Sequence, residues 1–446
     1  MQFWDELDAA QRATLEAQIA DIDFDLIRRL TTEQEATVDW AELASRAEPP
    51  PAIRLDDPAP SPSRTAAVAA GEEALRGGQV GMILVAGGQG TRLGFDQPKG
   101  MFPIGPISGR TLYQTHADRL AAVMQRYGRT IPLFLMTSPA TDAATRAYFA
   151  DHDFLGLDPQ HVHFFCQGTM PAVDAASGKL LLEEKHQLAL SPDGHGGLVA
   201  ALDRHGCLET ARTQGIEYFY YAQVDNPLAR LCEPELIGYH ILAASEMTTQ
   251  VVKKRFATEK VGNVVSIDGK VQIIEYSDLP EEYATATAPD GSLRLWAGNI
   301  AIHVFNRSFL EAAVDAAGGL PFHRAHKKVA YLDASGRKVD PETPNAIKFE
   351  RFVFDLLPTA QRAIVVEADA AEVFAPVKNA DGAEVDTPAH AQAALLDQHR
   401  RWLEAGGAEC APGVRVEVNP RWAMDAEDVR QRIEPGTRFA ADTYLR

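Results

Sequence analysis

The segment 80–100 reads VGMILVAGGQGTRLGFDQPKG. It opens on an apolar run, Met82 to Ala86, with the length and composition of a buried strand. Glycines follow at 87, 88, 90 and 94, with Thr91 and Arg92 among them and Lys99 just beyond. Glycine has no Cβ, so its N–H groups can approach an anion closely. Arg92 and Lys99 add fixed positive charge, and Pro98 restricts the loop before Lys99. Two familiar glycine loops are excluded. The dinucleotide fingerprint starts at Gly88-Gln89-Gly90 but meets Leu93 where its third glycine belongs, and no Gly-Lys-Ser/Thr follows for a P-loop. The segment therefore predicts a nucleoside triphosphate at the end of the first strand of an α/β sheet. Val85, Ala86, Gly87, Gly88, Gly90 and Thr91 are the expected nucleotide contacts, with Arg92 and Lys99 on the phosphates.

Outward from this loop the chain alternates strand and helix. A helix over 65–76 leads in; helices at 112–127, 141–150 and 199–214 alternate with strands at 131–136, 162–166 and 216–224. That order predicts a mostly parallel, doubly wound sheet, with ligands beyond the carboxyl ends of its strands. Asp268-Gly269 between 264–267 and 271–276 predicts a hairpin. A strand is expected at 298–305, a helix at 348–356, a strand at 363–367 and a helix at 387–404. Helical spacing before residue 46 and prolines across 48–64 complete the expected division. Residues 1–75 form a helical region and linker, 76–385 the catalytic domain, and 386–446 a small C-terminal α+β region.

The 446 residues carry 43 basic against 62 acidic side chains, a net charge of −19. Such a surface disfavours nucleic acid and anionic membranes, so positive charge for a phosphorylated ligand must be local. Cys166, Cys207, Cys232 and Cys410 are widely spaced, which fits a reducing compartment rather than a disulfide framework or zinc ribbon. The N-terminus lacks a signal-peptide pattern and no apolar run is long enough to span a membrane. A cytoplasmic protein, monomeric or weakly homo-oligomeric, is expected.

Further candidates lie just after predicted strands. The amide of Gln167 matches the N3–H and O4 edge of uracil. Ser191 to Leu198 is a second glycine loop opening a helix, a place that attracts phosphate; it holds Gly194 and His195. Asp225 ends the strand 216–224 and offers a hard oxygen to Mg²⁺, although an Asp-Asn-Pro turn without metal reads the same way.

These motifs carry a resemblance. AGGQGTRLG at 86–94 followed by QPKG at 97–100 is similar to the signature of the UDP-sugar pyrophosphorylases, more closely the eukaryotic-type UDP-N-acetylhexosamine enzymes. The resemblance implies a Rossmann-like, GT-A-like nucleotidyltransferase core with a mixed, mostly parallel sheet and helices on both faces. It implies uracil reading by Gln167, uridine held also by Gly88 and Gly194, and Mg²⁺ on Asp225. Glu275, Tyr276 and Asn299 match segments that hold the sugar, and Lys348 lies in a further matching segment. Lys378 is placed at the sugar phosphate, with Arg92 and Lys99 on the leaving phosphates. The implied reaction joins UTP to N-acetylglucosamine 1-phosphate, releasing pyrophosphate. His195 departs from the pattern, since the N-acetylhexosamine enzymes have Asn there. Gly-His-Gly is more like the UDP-glucose and broad UDP-sugar enzymes, which is the alternative reading. A nucleotide-sugar sensor without catalysis is the reading from another class.

Overall fold

In the computed structural model, which describes residues 2–32, 39–316 and 319–446, the apolar run at 80–85 becomes an inner strand of a ten-stranded sheet. Its strands are β1 (Ala52–Ile53), β2 (Val80–Val85), β3 (Leu133–Thr137), β4 (Val162–Cys166), β5 (Tyr218–Gln223), β6 (Met247–Lys253), β7 (Asn263–Ile267), β8 (Lys270–Ile274), β9 (Ala297–Asn306) and β10 (Ala363–Ala368). Across the sheet the order is β1-β10-β6-β9-β5-β2-β3-β4, with the hairpin β7–β8 branching from β9. Strand β9 is antiparallel to its neighbours β5 and β6, whereas β5-β2-β3-β4 and β1-β10-β6 are parallel. The expected mixed, mostly parallel sheet is what forms.

The inner strands β2 and β3 are almost wholly apolar, as strands covered by helices on both faces are. Met82, Leu84, Tyr220 and Ala222 enter one core; Ile83, Phe219 and Tyr221 enter the other. Each large side chain buried this way contributes roughly 1.5–3 kcal/mol. Separate clusters hold the ends of the chain. Leu7 and Leu15 pack on Leu188, and Ala44 and Ala47 on the β7–β8 hairpin. Trp402, Leu403, Val416 and Phe439 form a small C-terminal core. No helix is long and apolar enough to cross a membrane among the described residues.

Three readings differ from the structure. Residues 346–350 form a strand paired with 323–327, and a 3-10 helix follows at 353–359. From Ile347 to Glu350 burial alternates rather than following a helical period. The helix over 199–214 is two helices, 198–204 and 207–213, broken at Gly206 with φ +68°. The proline-rich stretch does more than connect, since Ala52 and Ile53 pair with Val365 and Val366 at the sheet edge. The helical region at the N-terminus is helices 9–20, 24–32 and 40–46; its part over 33–38 lies outside the described residues.

Helix α1 (Arg64–Gly77), helix α2 (Leu112–Tyr127) and helix α3 (Pro234–Leu242) cover the sheet face that holds Met82. Helices α1 and α3 touch backbone to backbone. A Cβ on Gly71 would lie 1.8 Å from the Pro234 carbonyl oxygen, and one on Gly238 1.6 Å from that of Ala67. Backbone cannot yield as a side-chain tip can, so overpacking here is expected to cost about 3 kcal/mol. Gly238→Ala should lower the urea midpoint, while Gly77→Ala, whose nearest atom is 3.5 Å away, should not.

Burial also sets the acid response. The imidazoles of His116 and His240 are held down to about 4, and those of His303 and His399 to about 3, by burial. An unfolded histidine takes its proton near its ordinary value of about 6.5. Between those values the unfolded state binds more protons, so stability falls as pH falls. The raised carboxyls of Asp193, Glu235 and Glu275 act in the opposite sense and offset part of this. The thermal midpoint is expected to drop between pH 7 and pH 5; a flat profile would contradict neutral burial of the histidines.

Candidate active site

Val85 pairs with Gln223 on one side and Met136 on the other, so three parallel strands end in register. Just past them the Ala86 N–H donates to the Met136 carbonyl at 2.8 Å and the Val224 N–H to the Val85 carbonyl at 3.0 Å. Over this edge lies a cleft of about 270 Å³ lined by the glycine loop, Gln167, the Gly194 loop and Asp225.

The glycine loop folds back on itself. The Gly90 N–H donates to the Gln97 carbonyl and the Lys99 N–H to the Gly88 carbonyl, at 2.9 and 3.0 Å. This turn carries Lys99 into the cleft beside Gly88. Gly87 and Gly88 donate no backbone hydrogen bond among the described residues, which leaves their N–H groups to a ligand. Gly90 has a different part: its N–H is already used, and a Cβ there would lie 2.6 Å from the Phe95 carbonyl oxygen. Ala86 is buried in the core. Thr91 and Arg92 sit exposed on a 3-10 helix at 91–93. Of the expected nucleotide contacts, Val85, Gly87, Gly88, Gln167 and Gly194 line the cleft, and Ala86, Gly90 and Thr91 do not. Arg92 also lies off the lining.

Gln167 is 8% exposed, with its N–H on the Thr137 carbonyl at 3.0 Å. Its Oε1 would stand 3.1 Å from a Cβ on residue 87, so the glycine there makes room for the amide. Gly194 has φ +83°, and a Cβ on it would lie 2.4 Å from the Arg351 carbonyl oxygen. His195 lines the cleft, but its ring packs against Phe352 and Phe354 and its Nδ1 accepts the Val353 N–H at 3.2 Å. Burial lowers its pKa to about 4. The ring is therefore neutral near pH 7, with its proton on Nε2.

Lys99 Nζ stands 3.6 Å from the Asp225 carboxylate, both side chains mostly buried. Asp225 is the one carboxylate on the cleft lining, and no cluster of three or more His, Cys, Asp or Glu that could hold a metal occurs among the described residues. A single hard oxygen donor beside room for phosphates fits Mg²⁺, which takes further ligands from phosphate and water. It does not fit zinc, which seeks several nitrogen or sulfur ligands.

Asn226, buried at 3% exposure, ties this edge to the segment that carries Lys378. Its Nδ2 donates to the Val373 carbonyl at 2.7 Å, and its Oδ1 accepts from the Ala375 N–H at 3.1 Å. The Val377 N–H donates to the Asp225 carbonyl at 2.8 Å. Lys378 is thereby set next to Asp225, and its charge acts on the Glu275 carboxyl. Burial raises the Glu275 pKa, with Asp278 adding to the rise and Lys378 opposing it.

A wall of the expected sugar residues continues from there. A Cβ on Gly262 would meet Glu275 Oε1 at 3.1 Å and the Asn299 Cβ at 3.7 Å, so these two side chains converge on one glycine. Asn299 stands at a bulge where the register of β6 on β9 jumps from Gln250↔Ile302 to Val251↔Asn299. Bulges re-aim side chains beside functional sites; here Ala301 takes φ +54° and its N–H donates to Asn299 Oδ1 at 3.0 Å. Tyr276 is 47% exposed. Lys348 is partly buried on the strand 346–350, whose continuation at Arg351 abuts Gly194. The sugar-side residues Glu275, Tyr276, Asn299, Lys348 and Lys378 lie off the lining of the 270 Å³ cleft.

Residues 23–415 match the family described as UTP–glucose-1-phosphate uridylyltransferase. The chain belongs to this family. Its members are UTP:sugar-1-phosphate uridylyltransferases, and this chain is a nucleotidyltransferase of that kind. Within the uridylyltransferase family it is 40% identical over 422 residues to the human UDP-N-acetylhexosamine pyrophosphorylase-like protein 1, covering 92% of this chain and 83% of that one. It is 39% identical to the Saccharomyces cerevisiae UDP-N-acetylglucosamine pyrophosphorylase over 81% of this chain and 77% of that one. The crystal structure of the Trypanosoma brucei uridine diphosphate N-acetylglucosamine pyrophosphorylase in complex with inhibitor superposes with a TM-score of 0.82 at 27% identity, covering 98% and 94% of the two chains. Leishmania major UDP-glucose pyrophosphorylase shares the fold, with a TM-score of 0.61 at 19% identity over 83% and 77%.

The residue that sequence reading passed over in this uridylyltransferase is Asn226. Its signal was its place between Asp225 and Pro227, but its partners are about 150 residues away, 147 for Val373 and 149 for Ala375. Asn226→Ala removes these bonds and frees the Lys378 segment. Misplacement by about 1 Å costs on the order of 10²-fold in rate. A fall of that size in kcat is expected, with UTP affinity unchanged because the cleft lining at Gln167 and Gly88 is untouched; unchanged kcat would refute the positioning role.

Proposed function

We propose that the protein transfers uridylyl from UTP to N-acetylglucosamine 1-phosphate, giving UDP-N-acetylglucosamine and pyrophosphate. The observation that carries this is the apposition of Lys99 and Asp225, 3.6 Å apart, in a cleft that also presents Gln167 and Gly88. An amide for uracil, free N–H groups for phosphate, a lysine and a hard carboxylate are what a uridine triphosphate needs. The names of the relatives above support the N-acetylglucosamine reading.

In the proposed reaction an oxygen of the sugar phosphate attacks the α-phosphorus of UTP in line, and pyrophosphate leaves opposite. The attacking group is already an anion, so no general base is required. The chain's work is positioning and charge neutralisation. Gln167 reads the uracil edge, and Gly88 and Gly194 hold the uridine. Lys99 holds the leaving phosphates, with Arg92 joining from its exposed helix. Lys378 stabilises charge at the sugar phosphate and α-phosphate. Glu275 and Asn299 hydrogen-bond sugar hydroxyls, which discriminates because a wrong hydroxyl pattern leaves buried polar groups unpaired. Lys348 and Tyr276 complete the sugar side. Asp225 would hold Mg²⁺, which when bound supplies further neutralisation of phosphate charge. The same reading carries cytoplasmic action as a monomer or weak homo-oligomer, without nucleic acid or membrane partners.

A second reading, transfer to glucose or galactose 1-phosphate, is favoured by His195. Its Nδ1 is taken by Val353, so only the Nε2–H edge remains for a sugar. Pyrophosphate release from UTP and Mg²⁺ with N-acetylglucosamine, N-acetylgalactosamine, glucose and galactose 1-phosphates separates the two. Faster release with the N-acetylated pair is expected; faster release with glucose or galactose would favour the second reading. Silence with all four in protein that binds UTP would favour a sensor. Lys99→Ala is expected to lower kcat on the order of 10²–10³-fold, as for loss of one strong transition-state contact. Normal turnover in folded Lys99→Ala would remove the leaving-group role.

A further inference from the structure

A second cavity, of about 190 Å³, lies between α2, the turn leading into α3, and helix α4 (Pro388–Ala405) with the C-terminal segment after it. Val123, Leu228, Trp402 and Met424 supply apolar wall. Most charged groups on the lining are already paired. Glu233 and Glu372 meet Arg230, Glu235 meets Arg64, and Asp425 meets Arg126. Arg119 is different. Its Nη1 donates to the Ala229 carbonyl at 2.6 Å, and it has no carboxylate partner among the described residues. The charge acting on it is that of Arg230, which repels.

His399 stands on the same lining. Its Nδ1 accepts the Val418 N–H at 3.2 Å, so the neutral ring carries its proton on Nε2. The cavity thus presents a guanidinium without a counter-charge and an imidazole N–H, set among apolar side chains. A partly buried cation left without an anion is incompletely solvated, and a bound oxyanion relieves that cost. A cavity of about 150 Å³ accepts a benzene ring, so this one holds a ring-sized body with its anionic group.

We propose that this cavity binds a small amphipathic oxyanion, a carboxylate or phosphate monoester on an apolar body, through Arg119 and the Nε2–H of His399. Occupancy reaches the cleft through one turn. Ala229, which Arg119 grips, donates its N–H to the Asn226 carbonyl at 3.1 Å, and Asn226 follows Asp225. An anion that draws the guanidinium away from Ala229 loosens this turn and lowers kcat without competing with UTP.

The test is calorimetric titration of the full chain with benzoate, phenyl phosphate and uncharged benzyl alcohol, each with and without saturating UTP and Mg²⁺. Expected is one saturable site for at least one anion, absent for benzyl alcohol, undiminished by UTP, and weakened at least about tenfold, or 1.4 kcal/mol, in Arg119→Met. Met424→Trp fills the cavity and keeps Arg119, so it tests the site if Arg119→Met does not fold; it should abolish binding equally. Preference for benzoate or for phenyl phosphate names the oxyanion. Displacement of the probe by UTP, binding unchanged in a folded variant, or no saturable binding of either anion would overturn the proposal.

Discussion

The parallel register of β2 against β5, Val85 opposite Gln223, is the constraint on which the site depends. It ends two strands at the same height. From one end the chain enters the glycine loop; from the other it reaches Asp225. Neither Lys99 nor Asp225 lies in a strand, yet the register leaves them 3.6 Å apart. A one-residue slip would exchange the two faces of β2, and both cores forbid it, because Ile83 and Leu84 are each already buried on opposite sides.

The second half of the site hangs from the first by hydrogen bonds rather than by sheet pairing. Asn226 and the Asp225 carbonyl hold residues 373–377, and Lys378 follows. The charge of Lys378 acts on Glu275, and Glu275 and Asn299 converge on Gly262. This arrangement gives the two halves separate origins. The cleft is built on parallel strand ends, the wall beside it on a hairpin, a bulge in β9 and the segment before Lys378. Under the proposed function, variation in the wall can change the sugar without moving the triphosphate.

Charge is distributed to match. The chain is strongly acidic overall, with a net charge of −19, yet Lys99 stands 3.6 Å from Asp225 in the cleft, and the charge of Lys378 acts on Glu275 beyond it. Elsewhere most arginines are tied to carboxylates, as Arg126 is to Asp425 and Asp428. Arg119 on the second cavity, like Arg129 and Arg294 elsewhere, has a carbonyl as its partner instead. Burying histidines as neutral rings adds an acid sensitivity that the acidic surface alone would not produce.

The sequence by itself determined the sheet class and the strand edge at which the cleft opens. Apolar runs between glycine-bearing turns have few alternatives once both faces of a strand must be buried, and Gly87, Gly88, Lys99, Gln167 and Asp225 are local to strand ends. It read 348–356 as one helix, where a short apolar-polar alternation suited either period until pairing of 346–350 with 323–327 selected the strand and left only 353–359 helical. Gly90 shows how one signal serves two ends, because a glycine needed for loop closure reads the same in sequence as one needed for phosphate. Only the tertiary structure decided Asn226, the packing of His195 under Phe352 and Phe354, and the convergence of Glu275 with Asn299. Those depend on partners distant in the chain, and a pattern of neighbours carries no record of which distant backbone a buried amide or imidazole will meet.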